Sequence, residues 1–246
     1  MKGEKNMLYG RHPILEALKA GEDLDKLFLQ RGLKGELISE IKALAKDHEV
    51  PIQEVPIEKL NKLTKGNHQG MVAFLSLIKY YKVEDILPKV YEEGQVPLFL
   101  ILDEVTDIRN LGAMARTAFC AGVQTIIIPQ KGAAPINADA IKSSAGALNK
   151  IPVCRQPDLK QVIQELQLNG IQIIAMDGRG NNLSYEIDLT IPTAIVMGSE
   201  DRGVANHLIK IVDNIVKLPV IGNFDSYNVS VAAGMVLYEA MRQRLQ

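Results

Sequence analysis

Several features that would identify a membrane, secreted or metal-binding protein are missing from this sequence. No apolar run approaches the roughly 20 residues that a membrane-spanning helix needs, and the first residues lack the apolar segment of a signal peptide. Its two cysteines, Cys120 and Cys154, form neither a disulfide framework nor a metal-ligand pattern. These absences predict a protein of the reducing cytoplasm, without a membrane partner and without a bound metal.

The sequence also lacks the phosphate-binding motifs of common nucleotide enzymes. No GxGxxG motif is present: the nearest match, Gly178–Leu183, follows an apolar run but has leucine at the position of the third glycine. No Walker A motif occurs, and the four histidines are too scattered to suggest a catalytic triad or a zinc site. A conventional NAD-dependent enzyme or nucleoside triphosphatase is therefore disfavoured.

The chain carries little net charge, which argues against a general polyanion-binding protein. Its formal net charge is −1 at pH 7. The distribution is uneven, because residues 1–82 hold 14 basic and 11 acidic side chains, whereas residues 83–246 hold 14 basic and 18 acidic ones. The first part is therefore the better candidate for contact with phosphate groups.

Alternating strand and helix patterns divide the chain into two predicted α/β domains. Residues 1–78 form the smaller domain, and residues 97–246 form the larger one. Residues 79–96 are charged and contain proline and glycine, so we predict that they form a linker. The larger domain begins with the apolar run Leu98–Leu102, which indicates a parallel sheet that helices cover on both faces.

The apolar periodicity predicts individual strands and helices. In the first domain the predicted strands are Leu27–Gln30, Val50–Val55 and Met71–Leu77, and the helices are Ile14–Lys19, residues 37–45 and one that begins at Pro56. In the second domain the predicted strands are Leu98–Leu102, Thr125–Ile128, Ile171–Met176, Thr193–Met197 and Ile215–Val220. The predicted helices there are Leu111–Ala121, Asp139–Ala147, Leu159–Leu168 and one of small residues after Asn228.

Polar loops follow two of the predicted strands in the second domain. The run Thr193–Met197 ends in Gly-Ser-Glu, and the run Ile215–Val220 ends in a loop of Gly, Asn, Asp and Ser. In open α/β sheets, ligands bind at the carboxyl ends of the strands. Asp225, Ser226 and Asn228 are suited to cap the helix that follows. We therefore predict that the two loops form a ligand site at one end of the sheet.

Arg116 lies in a predicted helix whose other residues are uncharged, six residues after Asn110. A buried arginine needs a carboxylate, a phosphate or carbonyl oxygens around it. Glu200, in the loop after Thr193–Met197, is a candidate partner. The residues leave two interpretations open: a structural ion pair between Arg116 and Glu200, or an arginine that acts on a substrate.

Three segments together resemble the motifs of the SpoU, or TrmH-like, RNA 2′-O-methyltransferases of the SPOUT superfamily. They are Asp103–Gly122, Val196–Gly203 and Leu218–Ala233. The positions typical of the family are filled by the expected residue types, although Tyr227 stands where an aliphatic residue is common. The resemblance implies an S-adenosyl-L-methionine cofactor, a catalytic domain with a parallel sheet and a C-terminal deep trefoil knot, and a homodimer formed through that domain.

The resemblance also implies roles for individual residues. Catalytic roles fall to Arg116, Asn110, Glu200, Ser226 and Asn228. Cofactor contacts fall to Met176, Gly178, Met197, Gly198, Leu218, Tyr227 and Asn228. Arg116 would help to remove the proton of a ribose hydroxyl or would position an RNA phosphate. Arginine is an awkward base, because it is almost always protonated.

The first domain, with YGRHP near its start and HQGMVAF near its end, is similar to the N-terminal domain of the 23S rRNA guanosine 2′-O-methyltransferases. In that group the domain has a fold like ribosomal protein L30e and helps to hold RNA. The resemblance therefore implies RNA contacts from Arg11, Lys65, Asn67, His68 and Gln69. His68 and Gln69 could equally serve to order their loop.

The predicted activity is thus the methylation of a ribose 2′-hydroxyl, of a guanosine in 23S rRNA. Two alternatives remain at this point. The protein could be a tRNA 2′-O-methyltransferase, or it could be a non-catalytic RNA-binding factor in ribosome assembly that keeps the fold. The presence of Asn110, Arg116, Glu200 and Asn228 favours an enzyme, and the first domain favours rRNA over tRNA.

Overall fold

The computed structural model describes residues 6–223 and 225–246. Phe224, in the predicted cofactor loop, and residues 1–5 of the first predicted domain lie outside the described residues. The chain divides into two compact units, Met1–Lys79 and Tyr80–Gln246. In the described parts of the chain, no helix has both the length and the apolar character that crossing a membrane requires.

The first unit is a four-stranded sheet with helices on both faces. In chain order its elements are β1 (Met7–Tyr9), α1 (Arg11–Lys19), β2 (Leu24–Gln30), α2 (Glu36–Asp47), β3 (Ile52–Val55), α3 (Ile57–Leu63) and β4 (Met71–Leu75). The strand order is β1-β4-β2-β3. Strands β2 and β3 are parallel, and β4 is antiparallel to both of its neighbours. All six predicted elements of this domain are present with shifted ends.

Two separate apolar clusters show that both faces of this sheet are covered. Helices α1 and α2 contribute Ile14, Leu18 and Ile41 to the larger cluster, together with residues of β2 and β4. Leu60 of α3 belongs to a smaller cluster with Phe28 and other strand residues that point the opposite way. The alternation of side chains along each strand supplies both clusters.

The second unit is an eight-stranded, entirely parallel sheet. Its strands are β5 (Tyr80–Tyr81), β6 (Leu98–Leu102), β7 (Thr125–Pro129), β8 (Val153–Gln156), β9 (Gln172–Met176), β10 (Asn182–Leu183), β11 (Thr193–Met197) and β12 (Asn214–Lys217). Its helices are α4 (Val83–Glu92), α5 (Ile108–Cys120), α6 (Ala138–Ser143), α7 (Leu159–Leu168), α8 (Asn206–Ile209) and α9 (Val229–Arg244). The strand order is β10-β12-β9-β11-β6-β7-β8-β5, and every pairing is parallel.

The central strands β6 and β11 are buried along their whole length. Helices α4 and α7 supply buried residues to the same core as β6, β9 and β11, and α5 packs against α6 and α9. A strand that is covered on both faces can be apolar at every position, which explains the uninterrupted runs in the sequence. The predicted α/β class and parallel sheet are confirmed.

The structure corrects the prediction of a linker over residues 79–96. Most of that segment is helix α4, which buries Val83, Ile86 and Val90 in the core of the second unit. The two residues of β5 pair with β8 and extend the sheet. The spacing of the buried residues is that of an amphipathic helix, and a single proline, Pro88, removes only one backbone donor from it.

Other element ends also differ from the predictions, for local reasons. The helix predicted over Asp139–Ala147 ends at Ser143, because Ala145 and Gly146 have positive φ angles of 50° and 82°. The strand predicted over Ile215–Val220 ends at Lys217, two residues before Pro219, which has no backbone N–H to donate. Strands β1, β8 and β10 and helix α8 were not among the predicted elements.

Candidate functional site

A cavity opens in the second unit where β9, β11 and β12 end. Its volume is about 770 Å³, and residues 176–179, 197–200, 217–220 and 225–227 are among those that line it. The loops after β9 and β11 leave the sheet side by side, because Met176 and Met197 are partners in the register of the two strands. The polar loops of the sequence therefore meet at the carboxyl end of the sheet, as predicted.

Six of the seven residues assigned to the cofactor line this cavity: Met176, Gly178, Met197, Gly198, Leu218 and Tyr227. Asn228 does not line the cavity. Its side chain donates a hydrogen bond to Glu200, which does line it. The Tyr227 hydroxyl donates to the carbonyl oxygen of Pro219 at 3.0 Å. This bond links the two ends of the loop after β12, so the residue that departs from the family pattern also has a structural contact.

The loop after β11 is a tight turn that requires glycine at position 198. Ser199 and Gly203 exchange two backbone hydrogen bonds, of 3.1 and 2.9 Å. A Cβ atom added at Gly198 would lie 2.0 Å from the carbonyl carbon of Gly203. Backbone atoms cannot rotate away as a flexible side chain could. The absence of a side chain at Gly198 therefore sets the shape of this wall of the cavity.

Asn110, Glu200 and Asn228 form one hydrogen-bonded cluster, which we call the amide–carboxylate cluster. The Asn110 side-chain amide donates to Glu200 Oε1 at 2.8 Å, and the Asn228 amide donates to the same oxygen. The Asn228 amide also donates to Asn110 Oδ1 at 3.2 Å. Three segments that are far apart in the sequence thus converge on one carboxylate, and Ser226 lines the adjoining cavity.

Two helix starts position the amides of this cluster. Asn228 caps α9, and its Oδ1 accepts from the Ser230 N–H at 2.9 Å. Asp107 caps α5 and accepts from the N–H groups of Arg109 and Asn110 at 2.8 and 2.9 Å. Asn110 therefore lies in the first turn of α5, whereas the predicted helix began one residue after it. Capping fixes the backbone from which each amide projects.

Arg116 does not pair with Glu200, which corrects the structural interpretation of this arginine. Its side chain is exposed on α5. Among the described residues, the structure gives Arg116 no hydrogen bond and no ion pair, and Glu200 Oε1 is held by the two asparagines instead. The guanidinium group is therefore available to an external oxygen ligand, such as a phosphate group.

Asp177 and Arg179 also line the cavity, although the sequence interpretation assigned neither to the site. The Asp177 carboxylate accepts hydrogen bonds from the Arg179 guanidinium and from the Val204 N–H. Burial by itself would raise the pKa of Asp177, but these bonds outweigh it and hold the pKa below its usual range. The family resemblance assigned Met176 and Gly178 of this segment to the cofactor, but no local pattern singled out the aspartate between them.

A second cavity, of about 540 Å³, lies within the first unit. All five residues that were predicted to contact RNA line this cavity: Arg11, Lys65, Asn67, His68 and Gln69. Gln69 has a positive φ of 48°. Its Oε1 accepts from the Arg11 backbone N–H at 3.3 Å, and its carbonyl oxygen accepts from Arg11 Nε at 3.3 Å. Lys65 and Asn67 are exposed. The loop before β4 and the start of α1 thus form a single surface.

His68 orders this loop from inside. It is buried, its Nδ1 accepts from the Gly70 N–H at 3.0 Å, and its Nε2 lies 2.8 Å from Asn61 Oδ1. Because Nδ1 is an acceptor here, Nε2 carries the proton and donates to Asn61. Both ring nitrogens are bound within the unit. This geometry favours the interpretation that His68 orders its loop over the interpretation that it contacts RNA.

A known family accounts for this arrangement. The model of the SpoU rRNA Methylase family matches residues 97–238. The chain belongs to this family. The model for RNA 2′-O ribose methyltransferase substrate binding matches residues 7–81, which include nearly all of the first unit.

Curated relatives of similar length support this membership. The Bacillus subtilis protein YacO, which is assigned to the TrmH family of tRNA/rRNA methyltransferases, is 34% identical over 245 residues, 99% of this chain and 98% of the relative. A Staphylococcus aureus protein of the same assignment is 33% identical over 241 residues, 98% of this chain and 97% of the relative. The similarity therefore extends over both units.

Solved structures of RNA-modifying enzymes share the fold. The AdoMet-bound rRNA methyltransferase from Sinorhizobium meliloti has a TM-score of 0.63 and 26% identity, covering 98% of this chain and 88% of that one. The A. aeolicus TrmH/SpoU tRNA modifying enzyme has a TM-score of 0.57 and 30% identity, covering 66% of this chain and 84% of that one. The first comparison spans both units, whereas the second covers two thirds of this chain.

A metal site is not evident in the described parts of the chain. Within residues 6–223 and 225–246, no three or more His, Cys, Asp or Glu side chains are grouped so that they could hold a metal ion. The predicted absence of a metal stays a prediction.

Proposed function

We propose that this protein uses S-adenosyl-L-methionine to methylate the 2′-hydroxyl of a guanosine ribose in 23S rRNA. The observation that carries the proposal is the amide–carboxylate cluster of Asn110, Glu200 and Asn228 beside the 770 Å³ cavity. The cluster brings together one residue from each of the three segments that resemble the family motifs. Membership in the SpoU family supports the same activity.

The side chains of the cavity suit this cofactor. Met197, Leu218 and Val229 offer an apolar surface for the adenine base. The carboxylates of Glu200 and Asp225 suit the positive charges of the sulfonium and ammonium groups. When bound, the cofactor supplies an electrophilic methyl group. We infer that the trefoil knot implied by the family shapes the loops after β9, β11 and β12 around it.

The residues of the chain have separate tasks in this proposal. Arg116 holds an RNA phosphate beside the target ribose and lowers the pKa of the 2′-hydroxyl through its positive charge. It does not serve as the proton acceptor, because a guanidinium is almost always protonated. The hydroxyl proton passes to solvent as the ribose oxygen takes the methyl group and the demethylated cofactor leaves. Glu200, fixed by two amides, orients the ribose together with Ser226. Positioning of this kind can lower a barrier by several kcal/mol, up to about 7–11 kcal/mol in well-aligned cases.

The choice of 23S rRNA depends on the first unit. Its match to the substrate-binding model and its 540 Å³ cavity support a structured RNA that extends beyond the target nucleotide. The two alternatives are a tRNA 2′-O-methyltransferase and a non-catalytic ribosome-assembly factor. The A. aeolicus structure, described as a tRNA modifying enzyme, supports the first of these. Action on ribosomal RNA would place the protein in the cytoplasm.

Methyl transfer to RNA from a strain that lacks this protein tests the proposal. We expect purified protein and S-adenosylmethionine with a labelled methyl group to label 23S rRNA at one guanosine, as a 2′-O-methyl group. Label in tRNA alone would favour the first alternative. Tight RNA binding without any transferred label would favour the assembly factor.

Lys65→Ala should weaken RNA binding without affecting the cofactor. Lys65 is exposed on the wall of the cavity in the first unit, and loss of one phosphate contact should reduce the slope of log K against log salt by about one. Filter binding of 23S rRNA fragments at several salt concentrations measures this slope. Lys46→Ala, at an exposed position of α2 in the same unit, is the matched control and should leave it unchanged. If the slope of log K against log salt is unchanged in Lys65→Ala, Lys65 does not contact a phosphate group of the RNA.

The predicted homodimer needs an exposed apolar surface on the catalytic domain. Val229 and Val236 of α9 are buried within the chain, so they are not available to a second copy. Val231, Met235 and Tyr238 are exposed by 50%, 41% and 62% and share one face of α9. An apolar face of this kind is typical of an interface.

Substitution of Val231 by Glu should therefore convert the predicted dimer to a monomer, because it buries an unpaired charge in the interface. Sedimentation velocity at micromolar concentration measures the change. Leu168→Glu, at a residue of α7 that is 88% exposed, should leave the mass unchanged. A wild-type protein that is monomeric and active would disprove the dimer.

A further inference from the structure

The loops after β9 and β11 are joined by a charged side-chain pair. The Asp177 carboxylate accepts from the backbone N–H of Arg179 at 3.0 Å and from its Nε and Nη2 at 2.6 and 2.7 Å. It also accepts from the Val204 N–H, in the other loop, at 3.0 Å. The carboxylate side chain is only 5% exposed. Four N–H donors therefore converge on one buried carboxylate.

Arg179 also binds the loop after β11 directly. Its Nη2 donates to the Val204 carbonyl oxygen at 2.6 Å, and its Nη1 donates to Asn206 Oδ1. Both backbone groups of Val204 are thus bound by the pair. Gly203 packs directly on it, since a Cβ atom there would lie 2.3 Å from Asp177 Oδ2. The guanidinium donates to three acceptors through a planar fork, a geometry that a compact ammonium group cannot copy.

The two joined loops line the same cavity as neighbours. Gly178, assigned to the cofactor, stands between Asp177 and Arg179, and the other loop carries Gly198 and Glu200. Beyond the paired ends of β9 and β11, no ladder of backbone hydrogen bonds holds the described residues of these loops at a fixed separation. The side-chain pair supplies that constraint.

We propose that Asp177 and Arg179 form a brace that holds these two cavity-lining loops at a fixed separation and so determines the affinity for the cofactor. The inference rests on the proposed function. The Arg179 side chain is 46% exposed, so solvent weakens the charge attraction within the pair. We expect the pair to act on binding, because a site that is held in its bound shape avoids the cost of ordering its loops. Both residues are positioning residues.

Three variants of the full chain test the brace: Asp177→Asn, Arg179→Met and Arg179→Lys. Calorimetry with S-adenosylmethionine and its demethylated product should give a Kd raised about tenfold or more in Asp177→Asn and Arg179→Met, with Arg179→Lys in between. The single-turnover methylation rate at saturating cofactor should stay within about threefold of the wild type, so that the change appears in KM and not in kcat.

Matched controls separate the brace from a general loss of hydrogen bonds. Asp188→Asn alters an exposed carboxylate that accepts from the N–H and hydroxyl of Thr190 at 2.9 and 2.5 Å. Arg242→Met breaks the bidentate pair with Glu239 on α9. Both should bind the cofactor as the wild type does. An unchanged Kd in Asp177→Asn and Arg179→Met, or an equal loss in the controls, would overturn the proposal.

Hydrogen exchange of the ligand-free protein gives a second readout that does not depend on the cofactor. The Val204 amide should exchange about tenfold faster or more in Asp177→Asn, while the amides of β9 and β11 remain protected. Unchanged exchange at Val204 would disprove the brace directly. Failure of the wild type to bind S-adenosylmethionine would instead contradict the proposed function. The exchange rate of the Val204 amide would still show whether Asp177 and Arg179 hold the loops together.

Discussion

Arg116→Ala should slow methyl transfer by about a hundredfold or more, which lies within the usual range for a positioned group that assists proton transfer. The side chain is exposed and, among the described residues, has no ion pair or hydrogen bond. Its removal therefore leaves no buried charge without a partner, and the melting temperature should change by less than about 1 °C. Cofactor affinity should also be preserved, because Arg116 does not line the 770 Å³ cavity.

Single-turnover methylation and thermal unfolding on the same preparation measure both quantities. Arg109→Ala is the matched control, because Arg109 is a second exposed arginine on α5 and uses only its backbone N–H in the capping of that helix. It should retain most of the activity. Arg116→Lys should recover only part of the rate, since an ammonium cannot copy the planar fork of a guanidinium. A large loss of stability with full activity while folded would show that Arg116 is structural after all.

Gly198→Ala should destabilise the second unit and abolish cofactor binding. The added Cβ atom would lie 2.0–2.2 Å from three backbone atoms of Gly203 and Val204, so the turn after β11 must open. Overpacking against backbone costs on the order of 3 kcal/mol, which would lower the melting temperature of a unit of this size by roughly 6–12 °C. Opening the turn would also displace Glu200 from the two asparagines that hold it.

Gly178→Ala tests whether the effect is steric. Gly178 lines the same cavity, but a Cβ atom there would meet nothing within 4 Å, and its φ is not positive. The melting temperature should therefore stay within about 1 °C of the wild type. Equal destabilisation by the two substitutions, measured by differential scanning calorimetry, would mean that close packing of Gly198 against Gly203 does not explain the need for glycine.

Local patterns predicted the central elements well. Strands β6 and β11 have the predicted ends, Leu98–Leu102 and Thr193–Met197, because strands buried on both faces appear as uninterrupted apolar runs. The cap of α9 at Asn228 also follows from local chemistry. Helix α4 was missed because its proline and charges were given more weight than its apolar periodicity, which was the better guide to its burial.

The side-chain contacts of the candidate site could not be predicted from local sequence patterns. The sequence by itself determined the α/β class, the parallel sheet and the loops that line the cavity, because each depends on the periodicity and turn residues of a short segment. Only the tertiary structure decided which side chains meet there. Glu200 binds Asn110 and Asn228, 90 and 28 residues away in the chain, and leaves Arg116 exposed. Asp177 reaches Val204 by the same kind of contact, since side-chain hydrogen bonds depend on spatial position and leave no period in the sequence.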